Sequence, residues 1–160
     1  MTAADNQATL ERFHAAFASR DGQVMSDCYH EQARFTDPVF SLTGPEIGAM
    51  WRMLCSRGKD LRIESSNLCA TATEGSADWQ AWYTFSTTGR SVHNIVASEY
   101  RFENGKILVQ ADRFDFWRWS RQALGPAGAL LGWSPLLRNK ARATARKALD
   151  QFIASESRPP

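Results

Sequence analysis

"SVHNIVASEYRFENGKILVQADRF", residues 91–114, alternates apolar and polar side chains along most of its length and interrupts that rhythm at Glu103–Lys106. A period of two belongs to a strand with one buried face, because successive side chains of an extended chain point to opposite sides. The interruption contains Asn104-Gly105, a dipeptide favoured in two-residue turns whose central residues both need positive φ. Two long antiparallel strands are therefore predicted, over 90–103 and 107–115, joined by a tight hairpin. On the first, Val92, Asn94, Val96, Ser98, Tyr100 and Phe102 share one face, while His93, Ile95, Ala97, Glu99 and Arg101 share the other.

The same period extends back to Leu61, with strands predicted over 61–71 and 76–87 to complete a meander. Before Leu61 the period is helical. Leu10, Phe13 and Phe17 form one stripe, and Val24, Met25, Cys28 and Tyr29 form another after the Asp21-Gly22 turn. Ala33, Phe35 and Asp37 alternate with Arg34 and Thr36 as a short strand that Pro38 stops. Thr43 and Glu46 make a T-x-x-E capping box ahead of Ile47, Met50, Trp51 and Leu54, and Gly58 closes this third helix. Helices followed by strands indicate an α+β fold, with helices packed on one face of a curved antiparallel sheet.

At 160 residues the chain suits one core, large enough to bury roughly 70% of the surface its unfolded form exposes. Cys28, Cys55 and Cys69 are odd in number, widely spaced and free of C-x-x-C pairing, which argues against a disulfide framework or zinc site and for reduced, cytoplasmic thiols. The opening "MTAADNQATLERF" has no basic segment followed by an apolar run, so it does not read as a secretory signal. Residues 1–115 carry 11 Lys/Arg against 15 Asp/Glu, whereas residues 116–160 carry 8 against 2. Two parts are expected: a domain over 1–115, and a basic C-terminal extension over 116–160 packed on it.

The strings "RFHAAFASRDGQVMSDCYHEQARFTDPVF" (12–40), "LTGPEIGAMW" (42–51) and "GRSVHNIVASEYRFENGKI" (89–107) resemble the nuclear transport factor 2-like superfamily, and within it the ketosteroid isomerases and SnoaL-like polyketide cyclases. The resemblance covers about residues 5–115 and implies a cone-shaped fold. Ketosteroid isomerases combine an aspartate base with an oxyanion hole of a tyrosine and a protonated aspartic acid. The resemblance puts Asp37 at the base, Phe13 where the tyrosine would stand and Ser98 where the acid would stand. The isomerase register also turns Leu108, Gln110, Asp112 and Phe114 inward, together with Ala81, Tyr83 and Phe85. The cyclases often carry H-x-D on the last strand; here Gln110 replaces the histidine and Asp112 supplies the aspartate.

Asp37 and Asp112 are thus the candidate catalytic carboxylates. A pocket lined by Phe13, Phe17, Trp51, Phe85 and Phe114 would disfavour their charged forms and raise their pKa toward that of a useful base. Tyr83, Asn94 or Ser98 would donate to a developing enolate, with Val96 and Gln110 completing the substrate contacts. Each assignment has a structural alternative. Aspartate before proline initiates turns through its own backbone amides, and Asp112 in "ADRFD" has Arg113 and Asp115 beside it for ion pairing or helix capping. Phe13, Phe17 and Trp51 at helical spacing also describe a plain core. His14 and His30 read as surface or capping residues. No dinucleotide fingerprint, phosphate loop or H-E-x-x-H helix occurs, so no cofactor is expected, and the ligand class is a small apolar or carbonyl-containing molecule.

Outside the cone, Ile107, Val109, Ala111, Trp82 and Ile95 would leave an apolar sheet face, for which a homodimer is expected. In the extension, Ser134-Pro135 starts a helix whose stripe of Leu137, Ala141, Ala145, Ala148, Leu149 and Phe152 lies opposite Arg138, Lys140, Arg142, Arg146 and Lys147. Docking on the domain and lying on an anionic membrane surface through residues 134–155 are the two readings of that helix. Nucleic-acid binding is disfavoured, because no recognised module frames the basic residues around Trp117 and Trp119.

Overall fold

A computed structural model describes all 160 residues. The chain runs α1 (Ala3–Ala18), α2 (Gly22–Asp27), β1 (Tyr29–Thr36), β2 (Ser41–Thr43), α3 (Pro45–Arg57), β3 (Arg62–Ala70), β4 (Glu74–Phe85), β5 (Arg90–Glu103) and β6 (Lys106–Arg113). Three further helices follow, α4 (Phe116–Leu124), α5 (Pro126–Leu131) and α6 (Pro135–Glu156). The strands form one sheet in the order β2-β1-β6-β5-β4-β3, antiparallel throughout except for the parallel β1–β6 pair. Helices α1 to α3 cover its concave face, giving the α+β cone. Two local readings shift: Tyr29 opens β1 rather than belonging to the second helix, and Ser41–Thr43 forms a short edge strand.

Thr2 and Asp5 cap α1 reciprocally, and the helix is then seated on the sheet by polar side chains. Asn6 Nδ2 donates to the carbonyls of Thr71 and Ala72 at 3.0 Å each, and Gln7 bonds the backbone of Leu68 and Ala70. At the other end of the helical layer, a Cβ on Gly22 would lie 2.6 Å from Arg52 Cα, so the α2–α3 crossing requires glycine there. Only half of the expected α3 capping box forms. Gly44 is the N-cap and Pro45 occupies the first turn, leaving Glu46 to accept from Thr43 N at 3.4 Å. Gly58 ends the helix as expected.

The β5–β6 hairpin sets which side chains enter the cone. Asn104 and Gly105 have φ of 52° and 72°, as a twisted two-residue turn demands. Regular pairing from such a turn would set Val109 opposite Tyr100 and Ala111 opposite Ser98. Instead the register steps between Phe102↔Ile107 and Arg101↔Val109, leaving Leu108 as an extra, bulged residue. Gln110 therefore faces Tyr100 and Asp112 faces Ser98 on the concave side. The step also corrects the expectation for Ile107, which is fully buried rather than part of the outer face, because it lies before the bulge and keeps the parity of Phe102. Val109 and Ala111, beyond the bulge, turn outward and are half-buried.

Asp115 caps α4, which lies along the part of β5 that β6 does not reach. Gln122 completes that edge: its Oε1 accepts from His93 N at 2.7 Å and its Nε2 donates to His93 O at 3.1 Å, as a neighbouring strand would. The C-terminal half of α6 docks on the domain. Leu149 is fully buried, with Ala145, Ala148 and Phe152 packed against the core. Arg52 pairs with Glu156, and Arg146 joins Glu46 to Asp150. The apolar stripe predicted for this helix is thus occupied by protein along its second half. No helix is long and apolar enough to cross a membrane.

Deleting Leu108 is expected to remove the bulge and keep the register beyond it, because Val109 then follows Ile107 directly opposite Arg101, with Gln110 still facing Tyr100 and Asp112 still facing Ser98. Unfolding in urea should therefore show a loss of no more than about 1–2 kcal/mol; a loss of more than about 3 kcal/mol, of the size expected when polar and apolar side chains exchange faces, would contradict Leu108 as the single extra residue.

Candidate active site

Cross-strand pairing places Ser98 and Asp112 side by side, with Tyr100 and Gln110 one step along the same face. Asp112 is 5% exposed. Its Oδ1 accepts from Ser98 Oγ at 2.5 Å and from Gln110 Nε2 at 2.9 Å. Both partners are themselves anchored. Trp79 Nε1 donates to Ser98 Oγ at 2.8 Å, while Tyr29 donates to Gln110 Oε1 and receives Trp51 Nε1 at 2.8 Å. One hydrogen-bonded chain, Trp51–Tyr29–Gln110–Asp112–Ser98–Trp79, thus spans the cone from α3 to β4. Asn6 Oδ1 alone among fully occluded side-chain polar atoms has no partner, so the unbonded Oδ2 of Asp112 keeps a little accessible surface.

Burial pushes the Asp112 carboxyl up to about 7, against the hydrogen bonds from Ser98 and Gln110, and the Asp37 charge adds to the rise. Burial likewise raises the Tyr29 and Tyr100 hydroxyls well above the ordinary range. A carboxyl in this state ionises near neutrality and can exchange a proton through Oδ2.

Aromatic side chains fill the space around it. The Phe13 ring meets Tyr29 at 5.7 Å and Trp51 at 5.6 Å, and Phe17 meets Trp51 and Trp79 at 5.0 Å each. Near-perpendicular contacts of this kind satisfy ring quadrupoles as well as excluding water. Phe13, Phe17, Trp51, Ser98, Gln110 and Asp112 are brought together, with Val96 buried opposite Trp79.

The other candidates lie apart from this group. Asp37 has left the strand: its Oδ1 accepts from Val39 N at 2.7 Å and Phe40 N at 2.5 Å, while its own N–H donates to Phe40 O at 3.0 Å. It is therefore a turn residue, and burial still raises its carboxyl pKa against those bonds and the nearby Arg142. Oδ2 makes no hydrogen bond. Tyr83 receives Trp119 Nε1 at 2.8 Å and Phe85 packs on the same indole at 5.4 Å, so both serve the α4 contact. Asn94 is half-buried with a side chain free of hydrogen bonds, and Phe114 is half-buried where β6 passes into α4.

His14 is corrected from surface to interior. It is buried, Nδ1 lies 2.7 Å from Ser65 Oγ and Nε2 lies 3.0 Å from Tyr100 OH, and burial lowers its pKa to about 4. Leu10, His14 and Phe17 at i, i+4 and i+7 carried that signal. Trp79 was legible from its parity with Ala81, whereas Tyr29 was hidden by its assignment to a helix. His30 is half-buried, 3.3 Å from Glu103. No three His, Cys, Asp or Glu side chains converge in a way that could hold a metal ion.

Asp112 and His14 tilt stability in opposite directions with pH. The raised Asp112 pKa contributes stability that is complete below about 4 and lost as pH rises through about 7; the lowered His14 pKa contributes stability complete above 6.5 and lost as pH falls through about 4. Asp112→Asn is expected to steepen the loss toward acid, and His14→Gln the loss toward neutrality. Urea midpoints measured across that window check both; superimposable profiles for wild type and variants would contradict both shifts.

A family model described as a SnoaL-like domain matches residues 10–110. No curated protein matches the sequence. Among solved structures, the chain is similar to a Jannaschia sp. CCS1 protein assigned as a SnoaL-like polyketide cyclase, at 12% identity and a TM-score of 0.66 over 77% of this chain and 94% of that one. It is similar to a Catenulispora acidiphila protein with a ketosteroid isomerase-like fold, at 11% identity and a TM-score of 0.64 over 74% and 94% of the two chains. An LEH-like epoxide hydrolase from M. tuberculosis matches at 15% identity and a TM-score of 0.61 over 82% and 98%. At these identities the likeness concerns the fold.

Proposed function

The chain belongs to the SnoaL-like domain family, and on that premise we propose that it binds a small apolar, carbonyl-containing molecule and moves a proton next to the carbonyl without a cofactor, as an isomerase or cyclase does. The observation that carries this reading is Asp112, a buried carboxyl poised near neutrality with one oxygen held and the other free. A base whose pKa is close to the working pH combines a useful deprotonated fraction with a useful driving force. Asp112 takes the substrate proton on Oδ2. Ser98 and Gln110 hold the carboxylate in place, and Trp79 and Tyr29 hold them in turn.

Asp37 has a lesser role here. Its turn lies beside Arg142, whose Nε donates to Pro38 O at 3.0 Å, and its charge raises Asp112. Rings occupy the interior around Asp112, so a ligand would have to displace them to reach Oδ2.

That filled interior also supports a second reading, a non-catalytic ligand-binding or dimeric interaction protein. A homodimer would use the outer sheet face, where Ile95 is 50% exposed and the Trp82 ring stacks on His93 at 4.5 Å.

The enzyme reading is tested by solvent-deuterium exchange into the α-positions of a panel of cyclic ketones. Asp112→Asn should lower exchange by roughly 10²–10⁴-fold with the fold intact by circular dichroism. The wild-type rate should rise with pH to a midpoint near 7, and Asp37→Asn should shift that midpoint downward. Exchange unchanged in Asp112→Asn would overturn the assignment. Ligand binding without exchange in the wild type would select the binding reading. For the dimer, Ile95→Glu should convert the protein to monomers in sedimentation equilibrium; an unchanged mass distribution would remove that face.

A further inference from the structure

We propose that the knob formed by α4, α5 and the start of α6 is a docking surface for anionic phospholipid bilayers. This inference stands apart from the chemistry of the cone. Its apolar part is unusual for a protein surface. Trp133 is 73% exposed, Leu130 71%, Leu131 52% and Leu136 80%, all within seven residues. Trp117 extends the patch from α4, donating from Nε1 to Ala129 O at 3.0 Å, and its ring edge would lie 3.0 Å from a Cβ on Gly132.

A cationic hollow adjoins it. Arg90, Arg118 and Arg121 with Ser91 and Gln122 line a depression of about 510 Å³ that contains no carboxylate. None of the three guanidiniums is in an ion pair. Arg121 stacks on the Trp117 ring at 4.1 Å, and Arg90 donates to Gln122 O at 2.8 Å while lying against Gly125 at the start of α5. The hollow and the apolar patch are therefore one continuous surface. The only acids after residue 115 are Asp150 and Glu156, both paired at the far end of α6.

Charge complementarity selects the occupant. Phospholipid headgroups would satisfy the free guanidiniums through phosphate oxygens, and the acyl boundary would receive Trp133 and the leucines. A nucleic acid or a soluble phosphate ester would meet the first need and leave the aliphatic side chains wet. The surface is supplied by the knob rather than by the α6 stripe, whose later residues pack on the domain.

The test is co-sedimentation of the full chain with vesicles of phosphatidylcholine containing phosphatidylglycerol, beside vesicles of phosphatidylcholine alone. Binding should require phosphatidylglycerol and weaken with salt. Arg118→Ser with Arg121→Ser should weaken it roughly tenfold or more, and Leu130→Ser with Trp133→Ser should do likewise, with unfolding midpoints unchanged because these side chains are surface groups. Failure to bind phosphatidylglycerol vesicles, or equal binding by both double variants, would overturn the proposal. So would saturable binding of inorganic phosphate to the arginines with no vesicle binding, or self-association abolished by Trp133→Ser in place of vesicle binding.

Discussion

One extra residue in β6 governs what the cone contains. With a two-residue turn at Asn104-Gly105, uninterrupted pairing would fill the concave face with Val109 and Ala111. The bulge at Leu108 inverts that parity and sends Gln110 and Asp112 inward while leaving Ile107 in the core. The polar chain through the cone depends on this inversion, since a side chain on the wrong face of a sheet cannot reach the interior by any rotamer.

Once inside, the carboxyl shapes its surroundings. An isolated buried charge is costly, so the group shifts toward its neutral form and collects donors. Ser98 and Gln110 provide them; the Trp79 indole anchors Ser98, the Tyr29 hydroxyl anchors Gln110, and the Trp51 indole holds Tyr29 in turn. The rings do double duty: their bodies exclude water, which raises the carboxyl pKa, and the Trp51 and Trp79 N–H groups and the Tyr29 hydroxyl complete the network. His14 follows the same logic with reversed sign, since burial holds it neutral between Ser65 and Tyr100.

The C-terminal helices meet two different demands. Gln122 imitates a peptide group to close the open edge of β5, and the second half of α6 fills the surface of α3 with apolar contacts and ion pairs. Between these attachments, residues 126–136 contact the domain little and carry the most exposed large apolar side chains in the chain apart from Met1. Attachment at both ends presents the segment at a fixed place beside the arginines.

Periodicity was enough for the first three helices, the last helix and the four long strands, because burial on one face imprints a repeat on local sequence, and the Asn104-Gly105 dipeptide marked the hairpin turn; α4 and α5 were not legible in this way. Charge count alone separated the basic extension. The inward position of Asp112 came with the family resemblance and required the bulge, which has no composition signature at Leu108. Asp37 was ambiguous in sequence because its turn bonds and its burial are compatible, and the structure contains both. His14 and Tyr29 were misjudged for a different reason: their roles depend on partners 51 to 86 positions away. What the sequence by itself determined is the long helices and strands and most of their buried faces, since those follow from neighbours within a few residues. Only tertiary structure decided which polar side chains share the interior, because that depends on register and on contacts between strands and helices far apart in the chain.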